Sequence, residues 1–135
     1  MRGRGHQAEY YGAIPPASNG VAERTIGVLT SAVRAMLRDS GLPKSLWAEA
    51  FSMATCVQNR TPTGALEGRT PYEMVYDVKP DLADLRAFGA IVEPSEKVEK
   101  FDDRVILCIF VEYKYGRGGY RMWDPRKSVV VESRT

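Results

Sequence analysis

The run Asn19-Gly20-Val21-Ala22-Glu23-Arg24 holds the residue of this chain best suited to do chemistry. Just before it, Ile14-Pro15-Pro16-Ala17-Ser18-Asn19-Gly20 is a stop-and-turn signal. The apolar periodicity that follows predicts a helix over residues 19–39, which puts Glu23 in its first turn. A carboxylate there can serve as one ligand of a divalent ion, because Mg²⁺ takes oxygen ligands from one or two carboxylates plus phosphates and water. One carboxylate cannot build such a site alone. The same group also fits a purely structural role. With Gly20 as N-cap, Glu23 would take the third position of a capping box, and its charge would favour the helix N-terminus by about 0.3–1 kcal/mol.

The other groups with chemical reach are cationic. At about 100° per residue, Val21, Val28, Leu29, Ala32, Val33 and Met36 share one broad apolar face of the helix. Arg24, Ser31, Arg34 and Arg38 gather on the opposite side, with Glu23 at the edge of that stripe. Such a stripe can meet DNA phosphates, which position a duplex without reading its sequence, or it can be an ordinary solvated face. Near the C-terminus, bases and aromatics interleave: Tyr113, Lys114, Tyr115, Arg117, Tyr120, Arg121, Trp123, Arg126 and Lys127. That pattern fits a surface that stacks on bases or tracks a backbone. It also fits strands that simply favour aromatics. The glycines at 116, 118 and 119 read as a hairpin turn, since they lack the strand–loop–helix setting of a phosphate cradle.

Several elements must position these groups. Ser40-Gly41 ends the first helix with a glycine cap. A second helix covers residues 43–60, with Leu46, Trp47, Ala50, Met53, Ala54 and Val57 facing the core, and Pro62 stops it. Thr70-Pro71-Tyr72-Glu73 is a capping box that opens a short helix over 71–77. Residues 81–86 add one further helical turn. Residues 88–93 read as a strand, and the apolar run 105–111 as a strand covered on both faces. Strands over 120–123 and 128–132 follow, separated by the turn Asp124-Pro125-Arg126-Lys127. Helices first and strands afterwards predict an α+β protein of two modules, residues 1–85 and 86–135.

Composition sets the outer limits. With 135 residues, 44% hydrophobic and 27% charged, the chain suits one ordinary folded domain or two small ones. The net charge of +2 does not by itself demand a nucleic-acid partner. Residues 1–76 hold 8 Lys and Arg against 6 Asp and Glu, whereas residues 77–135 hold 11 of each, so the whole excess lies in the helical part. Any DNA affinity must therefore come from local arrangement. No apolar run approaches the roughly 20 residues of a membrane span. The basic N-terminus Met1-Arg2-Gly3-Arg4-Gly5-His6 lacks the apolar segment of a secretory signal. Cys56 and Cys108 sit among apolar neighbours and read as buried reduced thiols rather than zinc ligands.

Taken together, the ordered blocks resemble the integrase region of copia-type (Ty1/copia) retrotransposon polyproteins. Asn19-Gly20-Val21-Ala22-Glu23-Arg24 is similar to that family's Q-N-G-V-x-E-R segment, and Ser40-Gly41-Leu42-Pro43-Lys44-Ser45-Leu46-Trp47-Ala48-Glu49-Ala50 to its S-G-L-P-x-x-x-W-A-E-A block. Asn59-Arg60-Thr61-Pro62-Thr63, Thr70-Pro71-Tyr72-Glu73, Leu85-Arg86-Ala87-Phe88-Gly89 and Lys100-Phe101-Asp102-Asp103-Arg104 follow in order, and Gly119-Tyr120-Arg121 with Asp124-Pro125 completes the series. The resemblance covers about residues 9 to 135. It implies the C-terminal end of a ribonuclease H-like core, whose Asp, Asp, Glu triad holds two divalent metals, followed by a small antiparallel SH3-like β-barrel. Glu23 matches the Glu of that triad. No Asp occurs among the 22 residues before it, and the loop Ile14-Pro15-Pro16-Ala17-Ser18 departs from the family's Y-T-P-Q-Q pattern.

The resemblance thus implies a catalytically incomplete integrase fragment that binds nucleic acid. Glu23 would be an inherited metal ligand, and Arg24, Arg34, Arg38, Arg117, Arg121 and Lys127 the contacts to retroelement ends and target DNA. Mg²⁺ or Mn²⁺ would belong to the complete parent enzyme, with none expected for this chain. An intracellular setting, nucleus or cytoplasm, is expected, with no membrane partner and with self-association through exposed helix faces. Two alternatives stand beside it: a non-enzymatic protein- or RNA-interaction module, and a degenerate retroelement relic.

Overall fold

Pro16 opens the first helix, α1 (Pro16–Ser40). Proline suits the first helical turn, where its missing N–H would have no partner and its fixed φ already matches the helix. The Pro15-Pro16 pair therefore starts the helix three residues earlier than the turn reading placed it. Glu23 moves out of the first turn, which contains no acidic residue. Gly20 lies inside the helix, so it forms no capping box with Glu23. The computed structural model describes residues 16–93, 107–114 and 118–133. The residues before 16, the Lys100–Arg104 block, the start of the strand expected from Val105, and Tyr115, Gly116 and Arg117 lie outside them.

α1 ends where expected. Gly41 takes φ +67°, the left-handed region that glycine enters without steric cost, and the Leu42 amide donates to Ser40 Oγ at 3.3 Å. A 3₁₀ turn over Lys44–Leu46 then leads into α2 (Trp47–Asn59). That turn holds three residues where an α-helix holds 3.6, so it shifts the phase of the apolar face. Leu46 is buried at 3% exposure, while Trp47, expected in the core, is 62% exposed. α3 (Pro71–Tyr76) is short and closed by the full capping box: Glu73 N–H donates to Thr70 Oγ1 at 3.1 Å and Thr70 N–H to Glu73 Oε2 at 2.7 Å. Residues 81–86 are not helical. Asp81 Oδ1 accepts the Ala83 amide at 2.9 Å, the kind of local side-chain bond that competes with a helical turn.

The strands are β1 (Ile91–Val92), β2 (Cys108–Tyr113), β3 (Tyr120–Asp124) and β4 (Val129–Glu132). They form one antiparallel sheet in the order β1-β2-β3-β4, so the chain is α+β. Among the described residues β1 and β4 are open edges. The strand expected over 88–93 shrinks to two residues because Gly89 turns the backbone at φ +87°. Pairing still reaches past β1, with Gly89 N–H donating to Phe110 O at 2.9 Å and Phe110 N–H to Ala90 O at 2.7 Å. No described helix is long and apolar enough to cross a membrane.

Both faces of the sheet are packed, as the apolar run predicted. Phe110 pairs with Met122, and these two with Cys108 and Val92 bury against Met53 of α2. Ile109 pairs with Trp123, and on that side Val111 and Trp123 bury against Leu46. A third cluster joins Leu29 and Val33 of α1 to Ala50 and Ala54 of α2. Phe88 touches all three clusters. The register slips between Phe110 and Glu112, a bulge that re-aims the strand. Val111 and Glu112 then face the Trp123–Arg121 side together, and Tyr113 returns to the Phe110 side, where the two rings lie 4.8 Å apart. The face expected for α1 is only half used. Leu29 and Val33 are buried, but Val21 and Val28 are more than half exposed, because α2 packs near the C-terminal part of α1 alone.

Both cysteines are buried and free. Desolvation pushes the Cys108 thiol above its ordinary value, with the charge of Asp124 adding to it, so this thiol stays protonated and packs as an apolar group. At the β3–β4 turn, Arg126 lowers the Asp124 carboxylate, mainly through its guanidinium and also through its amide bond to Oδ1 at 2.9 Å.

Two outcomes follow from this packing. Phe110→Ala should lose about 3–5 kcal/mol of stability in urea titration, the usual cost of emptying a buried aromatic site. Gly89→Ala should cost more than about 1 kcal/mol, since a Cβ there would lie 2.8 Å from Ser40 Cβ at a left-handed φ. A third concerns pH. Glu73 is held below the ordinary carboxylate range by its bonds to Thr70, the backbone bond foremost. A carboxylate lowered by folding contributes fully above its unfolded value of about 4.3. That contribution fades as the pH falls through the lowered folded value. Thermal melts from neutral to acid pH should therefore show a shallower acid-side loss in Glu73→Gln than in the wild type.

Candidate nucleic-acid interface

α1 carries the residues that the sequence singles out, and it separates them by role. Glu23 is exposed in the second turn of the helix. Among the described residues no group of three His, Cys, Asp or Glu side chains converges to hold a metal, around Glu23 or elsewhere. A two-metal site needs several carboxylates, so the described residues do not fit one.

Arg24, Arg34 and Arg38 are all exposed. Helical periodicity places them within a sector of about 80°, and the rise per residue spreads them over about 21 Å of the helix axis. Arg24 Nε donates to the Gly20 carbonyl of its own helix at 3.3 Å. None of the three forms an ion pair with a described residue. Arg34 and Arg38 are one helical turn apart, so they repel weakly, by about 0.2–0.5 kcal/mol. Arg38 recovers part of this because it lies in the last turn, where the helix dipole favours a cation. The stripe is thus an exposed row of guanidiniums with no described carboxylate to neutralise it.

The cations of the sheet are placed differently. Arg121 Nη1 meets Glu112 Oε2 at 2.6 Å, and its Nη2 lies 3.7 Å from Glu49 Oε1 of α2. The bulge makes the first pair possible by turning Glu112 to the Arg121 side. Lys114 pairs with Glu132 and holds that carboxylate below its ordinary range. Arg126 pairs with Asp124 at 3.2 Å. The Arg86 guanidinium sits 5.4 Å over the Tyr120 ring, and Arg60 5.0 Å over Tyr72. Lys127 is exposed in the β3–β4 turn and forms no ion pair among the described residues.

Among the described residues the interleaved aromatics Tyr113, Tyr120 and Trp123 are spent on structure. Tyr113 Oη donates to the Asp84 carbonyl at 2.8 Å and accepts the Arg86 amide. Tyr120 packs edge-on to Phe110 at 6.0 Å, and Trp123 is only 9% exposed. A base cannot stack on a ring that a neighbour already covers. Trp47 and Tyr76 do face outward among the described residues, and Trp47 was expected in the core. Its signal in the sequence was the proline-led start of the helix, which admits a 3₁₀ turn and the accompanying change of phase.

Comparison with known proteins gives this geometry a lineage. Residues 89–135 match the retroviral polymerase SH3-like domain. The chain is 39% identical over 122 residues to the retrovirus-related Pol polyprotein from transposon TNT 1-94 of Nicotiana tabacum, covering 88% of this chain and 9% of that protein. It is 29% identical over 108 residues to the Pol polyprotein from transposon RE1 of Arabidopsis thaliana, covering 78% of this chain and 7% of that protein. An uncharacterized mitochondrial protein of Arabidopsis thaliana is 36% identical over 105 residues, which is 71% of this chain and 88% of that protein. No solved structure matches. The chain spans less than a tenth of the Pol polyproteins it matches, and with that similarity running through helices and sheet alike it belongs to the family of Ty1/copia-type retrotransposon Pol polyproteins.

Proposed function

We propose that this chain acts as a nucleic-acid-binding part of a retrotransposon integrase. Residues 1–85 would be the C-terminal end of a ribonuclease H-like core and residues 86–135 an SH3-like β domain of barrel type. One observation carries the reading: Arg24, Arg34 and Arg38 stand exposed on one side of α1 with no described acidic partner. Guanidinium groups in that state release counterions when they meet phosphates, and the affinity falls steeply with salt. Contacts of this kind position DNA and carry no base code. Arg121 has a lesser part in such binding because Glu112 and Glu49 already hold it. Lys127 adds a contact at the sheet end. The fitting partners are retroelement ends and target DNA, in the nucleus or cytoplasm.

On this reading the chain is catalytically incomplete. Glu23 is one inherited carboxylate of three, and Mg²⁺ or Mn²⁺ belongs to the complete polyprotein enzyme rather than to this segment. The exposure of Val21, Ile26 and Val28 supports a further layer of structure over α1 in the longer protein.

A second reading, a protein-interaction module, is favoured by one specific feature. Met74, Val75, Tyr76 and Val78 form an exposed apolar run at and after α3. If self-association or protein docking is the main role, light scattering should show concentration-dependent oligomers while DNA affinity at low salt is absent.

Fluorescence anisotropy on a labelled duplex over a salt series tests the first reading. The triple variant Arg24→Ala, Arg34→Ala, Arg38→Ala should bind more weakly, with a log–log salt slope smaller by up to about 2.7, roughly 0.9 per lost phosphate contact. Unchanged affinity and slope would overturn the assignment to α1. Strand-transfer assays with Mg²⁺ or Mn²⁺ should yield no joined product, and Glu23→Gln should leave DNA affinity within twofold of the wild type.

A further inference from the structure

The family match begins at residue 89, yet the buried side chains take no notice of that boundary. Phe110 and Met122 are wholly buried, and Met53 of α2 is buried in the same cluster at 1% exposure. On the other face of the sheet, Val111 and Trp123 close on Leu46, which also precedes the match. Phe88, one residue before it, touches every cluster. Arg121 adds a polar tie across the boundary, with Glu112 on its neighbouring strand and Glu49 on α2. A four-stranded sheet with two open edges and a two-residue first strand has little core of its own. Without the helical segment, both apolar faces of β2 and β3 would meet water.

We propose that the sheet is an internal clamp whose obligate partner is α2 of the same chain. The matched SH3-like segment and the helices before it fold as one cooperative unit. The two faces of β2 and β3 are occupied within the chain, so they are closed to an external peptide or base. What the sheet offers a partner is confined to its edges and turns.

The full chain carrying Trp47→Phe tests this. That change removes the exposed indole and leaves Trp123 to report on the sheet. Urea unfolding should give the same midpoint by Trp123 fluorescence and by helical circular dichroism. Separate midpoints, with Trp123 burial outlasting the helices, would overturn the proposal. Phe88→Ala in the same background provides a second arm. The expected result is an equal shift of both midpoints, or the loss of both signals together. A lowered helical midpoint beside an unchanged Trp123 midpoint would refute the clamp.

Discussion

The corner at Phe88-Gly89 is the constraint on which the rest of the fold depends. Phe88 reaches all three buried clusters. Gly89 then turns at φ +87° and passes so near the end of α1 that a Cβ would come within 2.8 Å of Ser40 Cβ. A residue without a side chain makes that passage without a clash, and the Phe88 side chain reaches three clusters from one position. The corner thereby fixes where the sheet lies relative to the helices. The Gly89–Phe110 and Ala90–Phe110 backbone bonds extend the fixation into β2.

Electrostatics follows from this arrangement. Where helix and sheet meet, carboxylates and cations are brought together and neutralise one another, as Arg121 does with Glu112 and Glu49. Where α1 runs beyond the reach of α2, Val21 and Val28 face solvent, and on the side of α1 turned away from α2 so do the guanidiniums of Arg24, Arg34 and Arg38. The pairing decides which cations among the described residues have a carboxylate beside them and which do not.

On the proposed nucleic-acid reading, the α1 surface and the sheet divide the work. α1 offers charge without shape, which suits contact with a uniform phosphate backbone. The sheet offers shape without free faces, which suits holding the helices in place. The chain spans less than a tenth of the Ty1/copia-type Pol polyproteins to which it is similar, and that similarity takes in both the helices and the sheet.

The sequence by itself determined much of what is local. The capping box at Thr70 and Glu73, the glycine stop of α1 at Gly41, the turn at Asp124 and the doubly covered β2 all follow from turn chemistry and periodicity within about ten residues. The basic stripe of Arg24, Arg34 and Arg38 was legible for the same reason, because one helix places all three. Tertiary structure alone decided the phase shift that buries Leu46 and exposes Trp47, the bulge that turns Glu112 toward Arg121, and the half-covered face that leaves Val21 and Val28 outside. Each of these is set by what packs against an element from a distant part of the chain. A pattern of residue types carries the period of an element, whereas its rotation and coverage depend on neighbours that only the folded chain supplies.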